Sequence, residues 1–280
     1  MTGHTVKKGL RLLFLNIGLA LMSMILVLPF AWMILASLKP LSEIGLDSWF
    51  PINMNFQWDN YKDVFNLQGI LFGRWYWNSI FIASWVTFLQ VFTSSLAAFS
   101  FSRLKWRGRD TVFLMYLATM MLPGLVMMIP NYQMMIHFHL VDTYTGLIIT
   151  SAFSAFGTFL MRQFMMSIPS SLDEAALIDG ASKWDLYWTV ILPLARPALV
   201  TLTIFTFMGN YNSLTWPLVM TNNPEKYTLP VGLLSFDTSQ GQQTNLLMAA
   251  VAMSVLPMII VFIFMQKQLV KGIMLGSVKG

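Results

Sequence analysis

Residues 170–199 read SSLDEAALIDGASKWDLYWTVILPLARPAL and lie between two strongly apolar runs, so their acids and prolines are informative. Ser171 followed three residues later by Glu174 has the spacing of a capping box, in which hydroxyl and carboxylate each satisfy a free N–H of the first turn. Asp173 and Glu174 also suit the positive end of a helix dipole. A helix is therefore expected from about Leu172. Gly180 can take the left-handed conformation that stops it. Ser182 and Asp185 can cap a second helix, which Pro193 and Pro197 then break or redirect. The stretch is thus predicted as helix, glycine turn, helix. An amphipathic hairpin packed on its own membrane domain accounts for this pattern. So does a docking element, because Ala175 and Ala176 beside a capped acid let another backbone approach closely.

The surrounding chain is that of an all-α polytopic membrane protein. Of its 280 residues 56% are hydrophobic and 10% charged, whereas soluble domains average about a quarter charged. Six runs reach the roughly 20 apolar residues that a bilayer core of about 30 Å requires: 12–38, 77–101, 111–129, 145–166, 198–220 and 246–265. They predict a single transmembrane domain over 1–280, with 167–197 as a loop. The basic start, Lys7, Lys8 and Arg11, is shared with signal peptides, but the apolar run is too long and Leu35-Ala36-Ser37 is a poor cleavage site, so it reads as an anchor. Pro29 should kink the first helix; Pro123-Gly124 and Pro130 should bend or end the third. A net charge of +5 is compatible with nucleic-acid binding, but its distribution follows topology. Only Lys39, Lys62, Arg74 and Lys226 fall on the side opposite the N-terminus. The excess of basic residues on the other side puts both termini and the 170–199 hairpin in the cytoplasm. The expected surroundings are lipid, not nucleic acid.

Glu174-Ala175-Ala176, Asp179-Gly180-Ala181 and Ile191-Leu192-Pro193 together resemble the EAA motif of ABC-importer permeases. Ser37-Leu38-Lys39-Pro40, Asn60-Tyr61, Trp77-Asn78-Ser79, Thr228-Leu229-Pro230-Val231-Gly232-Leu233 and the Val-Lys-Gly repeats at 270–272 and 278–280 resemble the carbohydrate-importer subclass typified by maltose and glycerol-phosphate systems. The resemblance covers nearly the whole chain. It implies a permease subunit of six helices with a cytoplasmic coupling loop, in a bacterial or archaeal inner (plasma) membrane. Its implied partners are a second, homologous permease in a heterodimer, two ATP-binding subunits and an extracytoplasmic solute-binding protein. The implied activity is inward movement of a sugar or oligosaccharide by alternating access. Glu174, Ala175, Ala176, Ile178, Asp179 and Gly180 would couple to the ATPase, and the tail 266–280 would touch it. The outer loop 227–245, with Tyr227, Gly232, Gln240 and Gly241, would contact the binding protein. A glycerol phosphodiester, polyamine or peptide is the alternative cargo; the scattered acids Asp47, Asp59, Asp63, Asp142, Glu225 and Asp237 would permit a cation.

On the fifth run Thr203, Thr206, Asn210 and Ser213 step by three or four residues and share one helix face, with Asn212 and Trp216 alongside; Gln90 belongs to a thinner set on the second. Such hydroxyls and amides serve either helix packing or a translocation path for a hydroxyl-rich solute. No Asp, Glu, Lys or Arg falls in mid-span, which argues against a self-contained, proton-driven carrier. His137 and His139 sit two apart without a third ligand nearby, and read as interfacial rather than metal-binding. With no Gly-Lys pair there is no phosphate-binding loop, and neither HExxH nor GxSxG occurs. No cofactor, metal or catalytic residue is expected, and ATP hydrolysis falls to another subunit.

Overall fold

The computed structural model describes residues 2–44, 48–236 and 243–277, with side chains described over 12–44, 48–52, 54–236 and 243–266. Every regular element among them is helical. The chain divides into two compact units, residues 1–72 with 233–255, and 73–232 with 256–280.

In the first unit, α1 (Thr2–Ser37) is apolar from Leu12 onward, and only 6% of its most apolar window is covered by protein. A helix apolar on all sides and left uncovered is a lipid-facing one. Pro29 lies inside it. Its last carbonyls need partners, and the short helix α2 (Asn60–Asn66) supplies them. Asn60 Nδ2 donates to the carbonyls of Ser37 (2.8 Å) and Lys39 (3.0 Å), and the hydroxyls of Ser37 and Tyr61 lie 2.7 Å apart. Lys39 Nζ is turned onto the carbonyl of Ser48, and Asn245 Nδ2 reaches Asn60 Oδ1 at 3.3 Å. Two short motifs far apart in an apolar chain are thereby one polar junction.

The second unit is built on α3 (Phe72–Arg103), an unbroken helix of 32 residues, about 48 Å long at 1.5 Å per residue. Around it come α4 (Arg109–Ala118), α5 (Gly124–His137), α6 (Tyr144–Ile149) and α7 (Ala155–Met166). Next are α8 (Ser171–Ile178), α9 (Lys183–Asp185), α10 (Leu192–Leu194), α11 (Arg196–Tyr211), α12 (Thr215–Met220) and α13 (Leu229–Leu233). The long α14 (Thr244–Ser277) closes the chain. One buried cluster joins Phe99, Met161, Met165, Tyr187, Ile191 and Leu202; another joins Ile82, Val86, Met135, Leu147 and Met220.

Three helices, Leu12–Ser37, Phe72–Arg103 and Thr244–Gln266, are individually long and apolar enough to cross a membrane, or up to five spans if each bent helix pair counts as one. The runs 111–129, 145–166 and 198–220 are all interrupted, the first where a bend at Pro123-Gly124 was expected. The first turns by 99° at Pro123, which forces Leu122 into extended backbone; Pro130, expected to bend or end this segment, is carried inside α5. The second opens between Thr150 and Ser154, where Ser154 Oγ accepts from Gly157 N and starts α7 afresh. The third opens at 212–214, because the ring of Pro217 clashes with the carbonyl four residues back.

Candidate functional site

The hairpin forms as helix, glycine turn, helix, with a different start. Ser171 is already the first residue of α8, and Ser170, with helical backbone, holds its N-cap position without a side-chain bond. The Ser171–Glu174 box is therefore not made. The exit is a Schellman turn: Ala181 N donates to Ala176 O (2.9 Å), Gly180 N to Leu177 O (3.2 Å), and Gly180 sits at φ 86°. The second capping box does form, with Ser182 Oγ accepting from Asp185 N (3.2 Å) and Ser182 N donating to Asp185 Oδ2 (2.9 Å). Beyond α9 the chain widens into a π-helix over Leu186–Ile191. Pro193 has no N–H to continue the α ladder, and the wider turn relieves its clash with the carbonyl four residues back.

Of the expected coupling residues, Glu174, Ala175, Ile178, Asp179 and Gly180 are exposed, Ile178 by 85%. Ala176 is half-buried and packs against the protein's own core cluster, which includes Tyr187 and Ile191. Trp184 (63% exposed) stands across the turn. An apolar tip beside Glu174 and Asp179 is a surface that another protein can cover.

Sequence reasoning missed what holds α8. Arg103, at the end of α3, donates from Nη1 to Asp173 Oδ2 (3.0 Å) and from Nη2 to the carbonyls of Met165 (2.5 Å) and Ile168 (2.8 Å). Both charged side chains are largely buried. The cue was the first cation after an apolar run, but Arg103 stands at the head of a basic stretch with Lys105, Arg107 and Arg109, and the positive-inside reading treated all four as topology alone.

The polar stripe does not form a single wall. Gln90 sits at the junction of three elements: Nε2 donates to the carbonyl of Ser151 (2.6 Å) in the opened segment, and Oε1 accepts from Thr206 Oγ1 (3.2 Å) on α11. Thr93 Oγ1 serves Ala152 O (3.0 Å) likewise. These bonds satisfy carbonyls that the break at 150–154 releases. Gln90, Thr206 and Asn210, with Ser154 and Phe205, line a cavity of about 350 Å³. Thr203 lines a separate, aromatic one of about 620 Å³ with Phe88, Phe92 and Trp188. Ser213 and Trp216 line a third of about 560 Å³ with Asn131 and Thr150. Asn212 is exposed, its amide 3.4 Å from the sulfur of Met258. Thr203 and Asn210 also donate to their own helix, at Leu199 O and Thr206 O, both 2.8 Å.

The segment that follows α12, expected as an outer loop, is anchored at its root. Trp75 Nε1 donates to Pro224 O (2.7 Å), Asn78 Nδ2 to the carbonyls of Glu225 and Tyr227 (2.9 Å each), and Leu229 N to Ser79 Oγ (2.7 Å). Tyr227 is thus half-buried and held through its carbonyl. Gly232, expected at the contact surface, is buried, and a Cβ there would lie 2.2 Å from the Trp75 ring. It packs the root instead. Gln240 and Gly241 lie outside the described residues. Asp142, at φ 56°, accepts from the amides of Asn222 (3.1 Å) and Asn223 (3.2 Å) and from Lys226 Nζ (3.2 Å). Partial burial pushes its carboxyl up, but the two amides and the ammonium outweigh this and hold it below its ordinary value. Among the described residues no three His, Cys, Asp or Glu are grouped to hold a metal.

The family described as "Binding-protein-dependent transport system inner membrane component" matches residues 90–274. The chain is 31% identical to the arabinooligosaccharides transport system permease protein AraQ of Bacillus subtilis over the whole of both chains. It is 32% identical to the galactooligosaccharides transport system permease protein GanQ of the same organism, over 98% of each. Its fold matches one chain of a bacterial ABC transporter involved in the import of the acidic polysaccharide alginate, with a TM-score of 0.80 and 26% identity over 93% of this chain and 97% of that one.

Proposed function

The chain belongs to the family of binding-protein-dependent transport system inner membrane components, and from that premise we propose that it moves a neutral oligosaccharide inward as one of two permeases in an ATP-driven importer. As a member it is a multi-pass permease subunit of a bacterial inner membrane and not an enzyme. The observation that carries the cargo is the end-to-end similarity to permeases named for arabino- and galactooligosaccharide transport. Neutrality is supported by the cavity at Gln90, Thr206 and Asn210, which offers amides and hydroxyls and no charged side chain. Of the acidic groups considered for a cationic cargo, Asp142 is engaged by Lys226 and two amides.

In this reading 1–280 acts as one permease domain of six membrane segments, several of them bent, with both termini and the hairpin in the cytoplasm. The exposed tip at Glu174, Ala175, Ile178, Asp179 and Gly180 docks into an ATP-binding subunit, and Ala176 fixes the tip to its own core. The loop rooted at Pro224–Lys226 faces the solute-binding protein. ATP closes the ATPase pair and displaces the hairpin, and the membrane segments exchange inward- for outward-facing access; a ligand shifts this equilibrium only by binding one state better.

The test is a mild-detergent pull-down from native membranes combined with uptake of labelled arabinotriose and galactotriose. The expected result is recovery of a second permease and an ATP-binding subunit with uptake of one or both sugars. Glu174→Lys should lose the ATP-binding subunit and abolish uptake while the chain stays in the membrane. Recovery of the chain alone, or Glu174→Lys with undiminished uptake, rejects the coupling assignment.

A further inference from the structure

Helix α3 touches each of the three working parts of the second unit. At its Arg103 end it holds Asp173 of the hairpin. Thirteen residues earlier, about 20 Å along the axis, Gln90 holds α11 and the opened segment 150–154. At the other end Asn78 and Ser79 hold the root of the outer loop. No break or internal proline interrupts it, so it transmits displacement along its axis as one body.

We propose that α3 is the strut by which the hairpin drives the cavity and the outer loop, with Arg103 and Asp173 as its positioning joint. Two observations single out this contact. Both side chains are largely buried (6% and 17% exposed), so the contact is shielded from competing water. It also leaves Arg103 Nε and Asp173 Oδ1 buried without partners among the described residues. Native structures rarely leave such atoms unpaired. An unsatisfied donor on one side and an unsatisfied acceptor on the other mark a joint with a second setting, reached when the hairpin shifts against α3. Met165 O and Ile168 O keep the guanidinium in place while the carboxylate moves. The inference rests on the reading of the hairpin as the ATPase-driven element.

The chain has no cysteine, and a Cβ at Gly209 meets nothing within 4 Å, so Gly209→Cys places a single thiol in the Gln90 cavity of this subunit. In the purified complex in proteoliposomes, its reaction rate with a charged maleimide is measured with and without ATP and vanadate. With Asp173 intact, trapping should change the rate by at least about tenfold, the response of a two-state gate. With Asp173→Asn the change should fall to under about twofold while the ATP-binding subunit still co-purifies and traps nucleotide, and Asp173→Glu should restore most of it. If Asp173→Asn does not accumulate, Arg103→Lys carries the test, because an ammonium keeps the charge and drops the planar set of bonds. A full response in Asp173→Asn or Arg103→Lys overturns the strut, as does a loss that only parallels dissociation of the ATP-binding subunit. No response with Asp173 intact instead rejects the alternating-access reading beneath it, and the strut with it.

Discussion

Gly232 meets the face of Trp75, and the indole N–H of that tryptophan is bonded to Pro224 O, so neither partner has room to move. Gly232→Ala is therefore an overpacking substitution, expected to cost about 1–3 kcal/mol. It should lower the unfolding midpoint in detergent and shift the tryptophan emission. Gly209→Ala is the control: the space beside it is open, and alanine in a helix should leave the midpoint unchanged or raise it by the equivalent of up to about 1 kcal/mol. Equal midpoints for the two variants would remove the packing role. Single residues were the least legible part of the sequence. Gly180 and the Ser182–Asp185 box were readable because their geometry is local, fixed within three or four residues. Gly232, Ala176 and Arg103 depend on partners up to about 157 positions away, as Trp75 is from Gly232, and no local pattern reports that distance. The same locality misled at Ser171, where correct box spacing lost to a helix that starts one residue early.

Among the elements, the long helices were legible because hydropathy alone specifies their apolar parts: Leu12–Ser37, Phe72–Arg103 and Thr244–Gln266 lie close to the expected runs, whereas α1 begins ten residues before its run, at Thr2, and α14 continues twelve beyond its own, to Ser277. Of the broken segments, the bend at Pro123 was legible from the proline itself, whereas the opening of 145–166 was not, because that stretch looks continuous until one sees that Gln90 and Thr93 donate to the carbonyls of its opened backbone. The outer loop shows the same division. The segment was recognisable from Thr228-Leu229-Pro230-Val231-Gly232-Leu233, but the carboxylate that organises it, Asp142, comes from another segment. Asp142 is held below its ordinary pKa, so its contribution is fully present above the unfolded value of about 4 and is lost as pH falls through the lower folded value. Hydrogen exchange over 222–226, corrected for intrinsic rate, should be flat from about pH 8 to 5 and lose protection below about 4. Asp142→Asn should weaken protection at pH 7 by the equivalent of about 1–2 kcal/mol and remove the acid transition. An acid transition that survives in Asp142→Asn would assign it to another group.

For the molecule as a whole, the open question is whether the polar groups of α11 serve the cargo or the fold. The geometry divides them. Thr203 bonds its own helix, and Thr206 is engaged by Gln90 at a junction whose loss would release the carbonyl of Ser151. Asn210 differs: it lines the 350 Å³ cavity from the helix side, and among the described residues its amide donates only to the preceding turn, a bond of small net worth at about 1 kcal/mol. Asn210→Leu should thus leave assembly intact, with both the second permease and the ATP-binding subunit recovered in wild-type proportion. If the cavity is on the cargo path, sugar uptake at limiting concentration should fall at least about fivefold, the cost of about 1 kcal/mol of lost hydrogen bonding. Thr203→Val, in the aromatic cavity, should change uptake by less than twofold, about the noise of such a comparison. Uptake that is unchanged in Asn210→Leu would return α11 to a packing role and place the cargo contacts on the partner permease. Uptake lost together with assembly would identify Asn210 as part of the junction that Gln90 organises, the element through which α3 reaches the rest of the unit.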